Sequence, residues 1–278
     1  MEKPLTLAYS PCPNDTYIFA AWTNRLIEVV PDVRVALEDV ENLNNSALKS
    51  MYELTKVSYG AIPLLMENYR ILRAGGALGR GCGPLLVARP DTGTSLDDFK
   101  DGIVAIPGEM TTAFMLLRLA MGLRPQTIQM RFDTIVDAVK REAADAGLII
   151  HESRFTYQDE GLVQIADLGD WWETQTGMPI PLGAILVRKD VDEKLAVEVD
   201  DAIRASLRFA REREDAVIKY VREHATEMDD EVMRKHIGLY VNEYSEDVGD
   251  KGAAAVNELF RRAHAARIIP QTTEAVFV

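Results

Sequence analysis

The chain has 278 residues, 47% of them apolar and 27% charged, and 44 acidic against 31 basic side chains give a formal net charge of -13. A nucleic-acid or membrane-surface binder needs a basic face to displace counterions, and this balance presents the opposite field. No apolar run approaches the roughly 20 residues that span a bilayer, and the segment after Met1-Glu2-Lys3-Pro4 is too short for a signal h-region. A cytoplasmic protein is therefore expected, with Cys12 and Cys82 kept as reduced thiols.

Short apolar runs alternate with longer amphipathic ones, the pattern of an α/β protein. Leu5–Tyr9 reads as a strand, Ser10–Thr16 as a turn that starts a helix over Tyr17–Arg25, and Val33–Leu37 as the next strand. Asn44–Tyr52 suits a helix, Thr55–Ser58 a short buried strand ending at Tyr59-Gly60, and Ala61–Tyr69 a further helix. Gly75, Gly76, Gly79, Gly81 and Gly83 crowd one stretch too densely for an element interior, which reads as a loop. Ile103–Ile106 is a strand, Gly108–Leu123 a loop and helix, Phe132–Glu142 a helix and Ala146–Ile150 a strand. From Val191 onward the chain reads as helical throughout, with Ile203, Leu207, Ala210, Val217 and Val221 on one apolar face. That tail carries no chemistry in this reading, and its histidines, His224, His236 and His264, are taken as exposed or capping.

Pro84-Leu85-Leu86-Val87-Ala88-Arg89-Pro90-Asp91 is echoed by Pro181-Leu182-Gly183-Ala184-Ile185-Leu186-Val187-Arg188-Lys189-Asp190. Either two apolar strands are alike by chance, or the chain leaves one lobe through the first run and returns through the second. The second alternative gives two lobes, 1–88 plus 187–278 and 89–186, joined by a double-strand hinge with a cleft between them.

Ligands of open α/β sheets bind beyond the carboxyl ends of strands, and four polar segments occupy such places. His151 ends a strand and opens Glu152-Ser153-Arg154, where a neutral imidazole can act as a general base or only hydrogen-bond across a turn. Thr111 and Thr112 begin an apolar helix whose free amides make an anion site. Ser58, Tyr59 and Gly60 follow the third strand, and Ser10 and Asn14 the first. Capping explains each alone; together they point to a pocket for a small anionic organic molecule. Dinucleotide-loop, P-loop, nucleophile-elbow and metal-ligand spacings are absent. Cys12 sits where a helix start would lower a thiol pKa, but between two prolines it reads as a packed small residue.

Ser10–Thr16, Gly75–Leu85, Thr111–Phe114 and Gly147–Tyr157 closely resemble the 1,4-dihydroxy-6-naphthoate synthase family of the futalosine route to menaquinone. The likeness runs from about Leu5 to Arg188, with the helical tail a looser match. It implies a two-lobed fold like the type II periplasmic binding proteins. It further implies a carbon-carbon lyase acting on cyclic dehypoxanthinylfutalosine, with no metal or redox cofactor. The family's base falls on His151, and its ligand contacts fall on Ser58 to Gly60, where Gly60 can offer only backbone, and on Thr111 and Thr112. Arg154 is a candidate extra cation. The competing expectations are a non-catalytic small-anion binding protein and the fold-related chorismate dehydratase of the same pathway.

Overall fold

The computed structural model describes residues 3–28, 30–122, 124–225, 229–269, 275 and 277–278. Two mixed sheets organise it. The first contains six strands: β1 (Leu5–Tyr9), β2 (Val33–Leu37), β3 (Leu54–Ser58), β4 (Tyr69–Ile71), β5 (Ala77–Gly79) and β11 (Ile180–Arg188), in the order β2-β1-β3-β11-β4 with β5 also on β11. The second contains β6 (Leu85–Ala88), β7 (Ile103–Ile106), β8 (Gln126–Gln129), β9 (Ala146–Ile149) and β10 (Val163–Asp167), in the order β10-β6-β9-β7-β8. In the first sheet β1 runs parallel to β2 and β3, and in the second β7 runs parallel to β8 and β9. The carboxyl ends of β1, β3, β7 and β9 are the four places where the sequence puts its polar segments.

Eleven helices cover these sheets among the described residues: α1 (Pro13–Thr23), α2 (Val40–Leu48), α3 (Thr112–Met121), α4 (Ile135–Lys140), α5 (Ser153–Thr156), α6 (Leu168–Thr176), α7 (Glu193–Glu212), α8 (Glu214–His224), α9 (Asp230–Tyr240), α10 (Glu243–Glu246) and α11 (Gly249–Ala265). Proline at the first position of α1 suits a helix start, because its missing N–H would be unpaired there anyway. The apolar face expected in the tail is real: Ile203, Leu207, Ala210, Val217 and Val221 are fully buried in one core with Phe19, Ala20 and Trp22 of α1. Ser206 ties the layer down, its hydroxyl donating to the Ile18 carbonyl at 2.6 Å and accepting from the Trp22 amide at 3.1 Å.

The structure departs from the sequence reading in several places. Ala61–Tyr69 is not a helix but a 3₁₀ turn at Ile62–Leu64 followed by β4, with Pro63 interrupting any longer ladder. Helices α1 and α2 begin about four residues earlier than expected, α2 because Asp39 caps it by accepting from the amides of Glu41 and Asn42. Leu123, the expected end of α3, lies outside the described residues. The glycine-rich stretch is not all loop, since β5 lies within it and pairs with the start of β11 through Ile180 with Gly79 and Pro181 with Leu78.

That pairing relocates the crossing. The chain leaves the first sheet after β5 and returns to it in β11, so two antiparallel strands flank the passage between sheets. The first run of the sequence echo, β6, belongs wholly to the second sheet and pairs with β9 and β10. The second run, β11, belongs wholly to the first. The sheets therefore change between 79 and 85 and between 167 and 180, rather than at 88 and 186.

Candidate functional site

The four strand ends face one another across a cleft whose cavity measures about 90 Å3. Ser10 and Asn14 from the β1 end, Ser58 from β3, Thr111, Thr112 and Ala113 from the start of α3, and His151 after β9 all line it. Tyr59 and Gly60 do not. Tyr59 is buried in the core beside it, and Gly60 forms the contact where the two sheets' loops meet. A Cβ at Gly60 would stand 2.8 Å from the Met110 carbonyl oxygen and 2.9 Å from that of Thr111, so only glycine permits this approach.

His151 reaches the cleft through a backbone bend. Its φ of +57° places it in the left-handed region, which a residue with a Cβ occupies at a cost of about 1–3 kcal/mol unless its surroundings hold it there. Phe132 packs edge-on against the ring at 4.8 Å between centroids. The near-parallel ring of His236 lies 6.1 Å away. Nε2 of His151 is buried without a hydrogen-bond partner.

His236 is the residue that sequence reading missed. Far from being exposed or capping, it is 0% accessible, because it lies on the stripe Met233, His236, Tyr240 by which α9 packs inward. The (i, i+4) spacing of His236 and Tyr240 puts both rings together, 4.6 Å apart, with Tyr240 on the cavity wall. The stripe itself was the signal, since an apolar-spaced histidine is a buried one. Nε2 of His236 lies 2.9 Å from Asn14 Oδ1, while Asn14 Nδ2 donates to Asp15 Oδ1 at 2.8 Å. The amide is thereby oriented, so the proton of His236 resides on Nε2 and the Nδ1 lone pair is left bare. Burial, and then the neighbouring His151, push the His236 pKa well below the ordinary histidine value, which keeps the ring neutral.

A buried cation was also missed. Lys56, in the middle of β3, extends Nζ to 2.7 Å from Asp15 Oδ1 and 3.1 Å from the Gly75 carbonyl. Ser10 Oγ donates to the other oxygen of Asp15 at 2.9 Å. Both members of the Lys56–Asp15 pair are buried, and each holds the charge of the other in place. One lysine therefore stands beside the cleft, with its charge balanced inside the protein.

The remaining contacts decide which groups are free to meet a ligand. Ser58 accepts from Asn44 Nδ2 at 3.2 Å, which leaves its own hydroxyl proton to give. Ser58 does not begin a helix, and its amide donates to Asn44 Oδ1 at 2.9 Å, so no backbone anion site exists there. The two threonine hydroxyls are committed. Thr111 Oγ1 donates to the Gly108 carbonyl and accepts from the Phe114 amide, and Thr112 Oγ1 donates to the Leu182 carbonyl while accepting from the Gly60 amide. What α3 offers a ligand is its first amides, at Thr112 and Ala113, which have no intrahelical acceptor. Arg154 is not at the cleft. It binds Asp167 at 2.6 Å and the carbonyls of Gly81 and Gly83, clamping the crossing segment to β10.

Cys12 and Cys82 are both buried free thiols. The helix start does not activate Cys12: burial, reinforced by the charge of Glu152, pushes its thiol well above the usual value, which is unsuited to a nucleophile. Although no metal-ligand spacing exists in the sequence, the fold brings Cys12, His151 and Glu152 together, with one potential ligand atom from each lying within 4.8 Å of the others.

Two facing α/β layers with a polar cleft at their strand ends define a protein of the periplasmic-binding-protein-like class. The alkanesulfonate-binding protein of Xanthomonas axonopodis pv. citri, solved bound to MOPS, superposes with a TM-score of 0.74 at 12% identity, covering 99% of this chain and 98% of its own. The chain belongs to the menaquinone-biosynthesis family, whose model matches residues 5–265. It is 46% identical to the 1,4-dihydroxy-6-naphthoate synthase of Thermus thermophilus over 99% of this chain and all of that one. It is 42% identical to the synthase of the same name from Streptomyces coelicolor, over 96% and 95% of the two chains.

Proposed function

We propose that the chain is the lyase that converts cyclic dehypoxanthinylfutalosine to 1,4-dihydroxy-6-naphthoate and dihydroxyacetone, with His151 as the general base. The observation that carries this reading is the placement of His151: a strained backbone turn brings it to a cleft that the amide-bearing start of α3 also lines. A substrate carboxylate would accept from the amides of Thr112 and Ala113 and from the Ser58 hydroxyl, with no net cation required. Asn14 and Ser10 hold the wall through Asp15. His151 then removes a proton from the sugar-derived portion, electrons flow to break a carbon-carbon bond, and the ring system becomes aromatic. Aromatisation supplies driving force, so the protein contributes positioning, proton transfer and exclusion of water.

The cavity of about 90 Å3 is smaller than the roughly 300–1,000 Å3 of ordinary ligand pockets. On this reading the two sheets and their helices are lobes that part to admit substrate and close over it. The reading carries a cytoplasmic location with it, and small anionic organic substrates rather than nucleic acid or membrane as partners. Incubating the purified protein with cyclic dehypoxanthinylfutalosine and, separately, with chorismate, and following products by mass, tests it. Naphthoate from the first is expected. Conversion of chorismate instead would assign the dehydratase reaction, and binding without turnover a receptor.

A further inference from the structure

Five buried side-chain polar atoms among the described residues have no hydrogen-bond partner, and two of them, His151 Nε2 and His236 Nδ1, belong to adjacent near-parallel rings, the first lining the cleft and the second buried behind it. Cys12, His151 and Glu152 converge there with one potential ligand atom from each within 4.8 Å of the others, and His236 Nδ1 lies 3.9 Å from Glu152 Oε1. One thiol, two imidazoles and one carboxylate form a four-donor, borderline-soft set that matches the preferences of Zn2+. His236 is already prepared as a ligand. It is fully buried, its lone pair on Nδ1 is bare, and its Nε2–H donates to Asn14, the outer hydrogen bond that metal-bound histidines use to fix their tautomer.

We propose that Cys12, His151, Glu152 and His236 form a binding site for a thiophilic divalent cation, Zn2+ foremost. Tetrahedral ligands around zinc stand about 3.5 Å apart, so Cys12, His151 and Glu152 need to draw together by about 1 Å, with His236 joining from its place 3.9 Å from the Glu152 carboxylate. Binding forms a Zn–S bond as the Cys12 S–H breaks, and the proton leaves to solvent. Thiolate and carboxylate together then neutralise the two positive charges, which makes the burial tolerable. No redox change is involved. The consequence for turnover rests on the reading of His151 as the base: a cation that takes its lone pair inhibits.

The full chain, stripped with chelator, is titrated with Zn2+ by calorimetry in two buffers of different ionisation enthalpy, and with Cd2+ in the ultraviolet. One cation per chain, release of a proton and a thiolate-to-cadmium absorption band are expected. Cys12→Ala and the near-isosteric Cys12→Ser both abolish the band and weaken zinc binding by at least about tenfold. An unchanged isotherm in both variants, or no uptake by the unsubstituted protein, overturns the site and leaves the two orphaned nitrogens to water or substrate. Cation binding through Cys12 that leaves turnover untouched upholds the site and removes His151 from its role as base.

Discussion

At the scale of single residues, the cleft depends on side chains whose protonation the fold has fixed. His236 is held neutral by burial, with its proton locked toward Asn14, and the charge of Lys56 is absorbed by Asp15. His151 is left as the one histidine presented to the cavity. His151→Asn should lower kcat by about 10²–10⁴-fold while circular dichroism shows the fold retained, and a variant turning over at the parental rate would exclude His151 as the base. The position of His151 was legible from a histidine closing an apolar strand. His236 was read wrongly because the tail was judged by its charge, whereas the spacing of Met233, His236 and Tyr240 marks the inward face of a helix.

At the scale of elements, the strands were largely legible and the irregular joins were not. A run such as Leu5–Tyr9 or Ile103–Ile106 announces itself by β-branched and apolar residues between turn formers. The three-residue strands β4 and β5 carry no such signal, because each gains its pairing from β11 rather than from its own propensity. The docking of α7 on α1 shows the same dependence. Ser206 has no partner on its own helix face and finds both in the backbone of α1. Ser206→Ala leaves the buried Ile18 carbonyl and Trp22 amide short of that partner and should destabilise the protein by about 1–3 kcal/mol, measured by urea denaturation. No change in the transition midpoint would mean that this bridge does not hold α1 in place.

At the scale of the whole molecule, Glu41 links the two layers. It stands on α2 beside the first sheet, yet its carboxylate accepts from the Met110 amide at 3.2 Å in the loop that precedes α3 of the second. Gly108 leaves room for it, since a Cβ there would lie 2.2 Å from the Glu41 carboxyl carbon. Burial between the layers pushes the Glu41 pKa above the ordinary glutamate value, partly offset by hydrogen bonds from Asn44 and Met110. In an open form the carboxyl would be hydrated and its pKa ordinary, so closure takes up a proton. Its contribution to closure is fully present below the ordinary pKa and is lost as pH rises through the raised one. The radius of gyration from small-angle scattering should therefore increase with pH across the weakly acidic range, and this dependence should vanish in Glu41→Gln, which stays neutral throughout. The same pH dependence in both proteins would remove Glu41 as the cause.

What the sequence by itself determined is whatever rests on local order: the alternation of elements, the apolar face of the tail, the strand ends that carry Ser10, Ser58, Thr111 and His151, and the family to which the chain belongs. Tertiary structure alone decided which strand pairs across the crossing, that Arg154 serves as a clamp, and that Lys56, Asp15, Asn14 and His236 form one buried chain of partners. The physical reason is that a buried polar group is defined by its partner, and here the partners lie up to 222 residues apart in sequence. Hydrophobic periodicity can say that a side chain points inward, but only the assembled core says what it meets there.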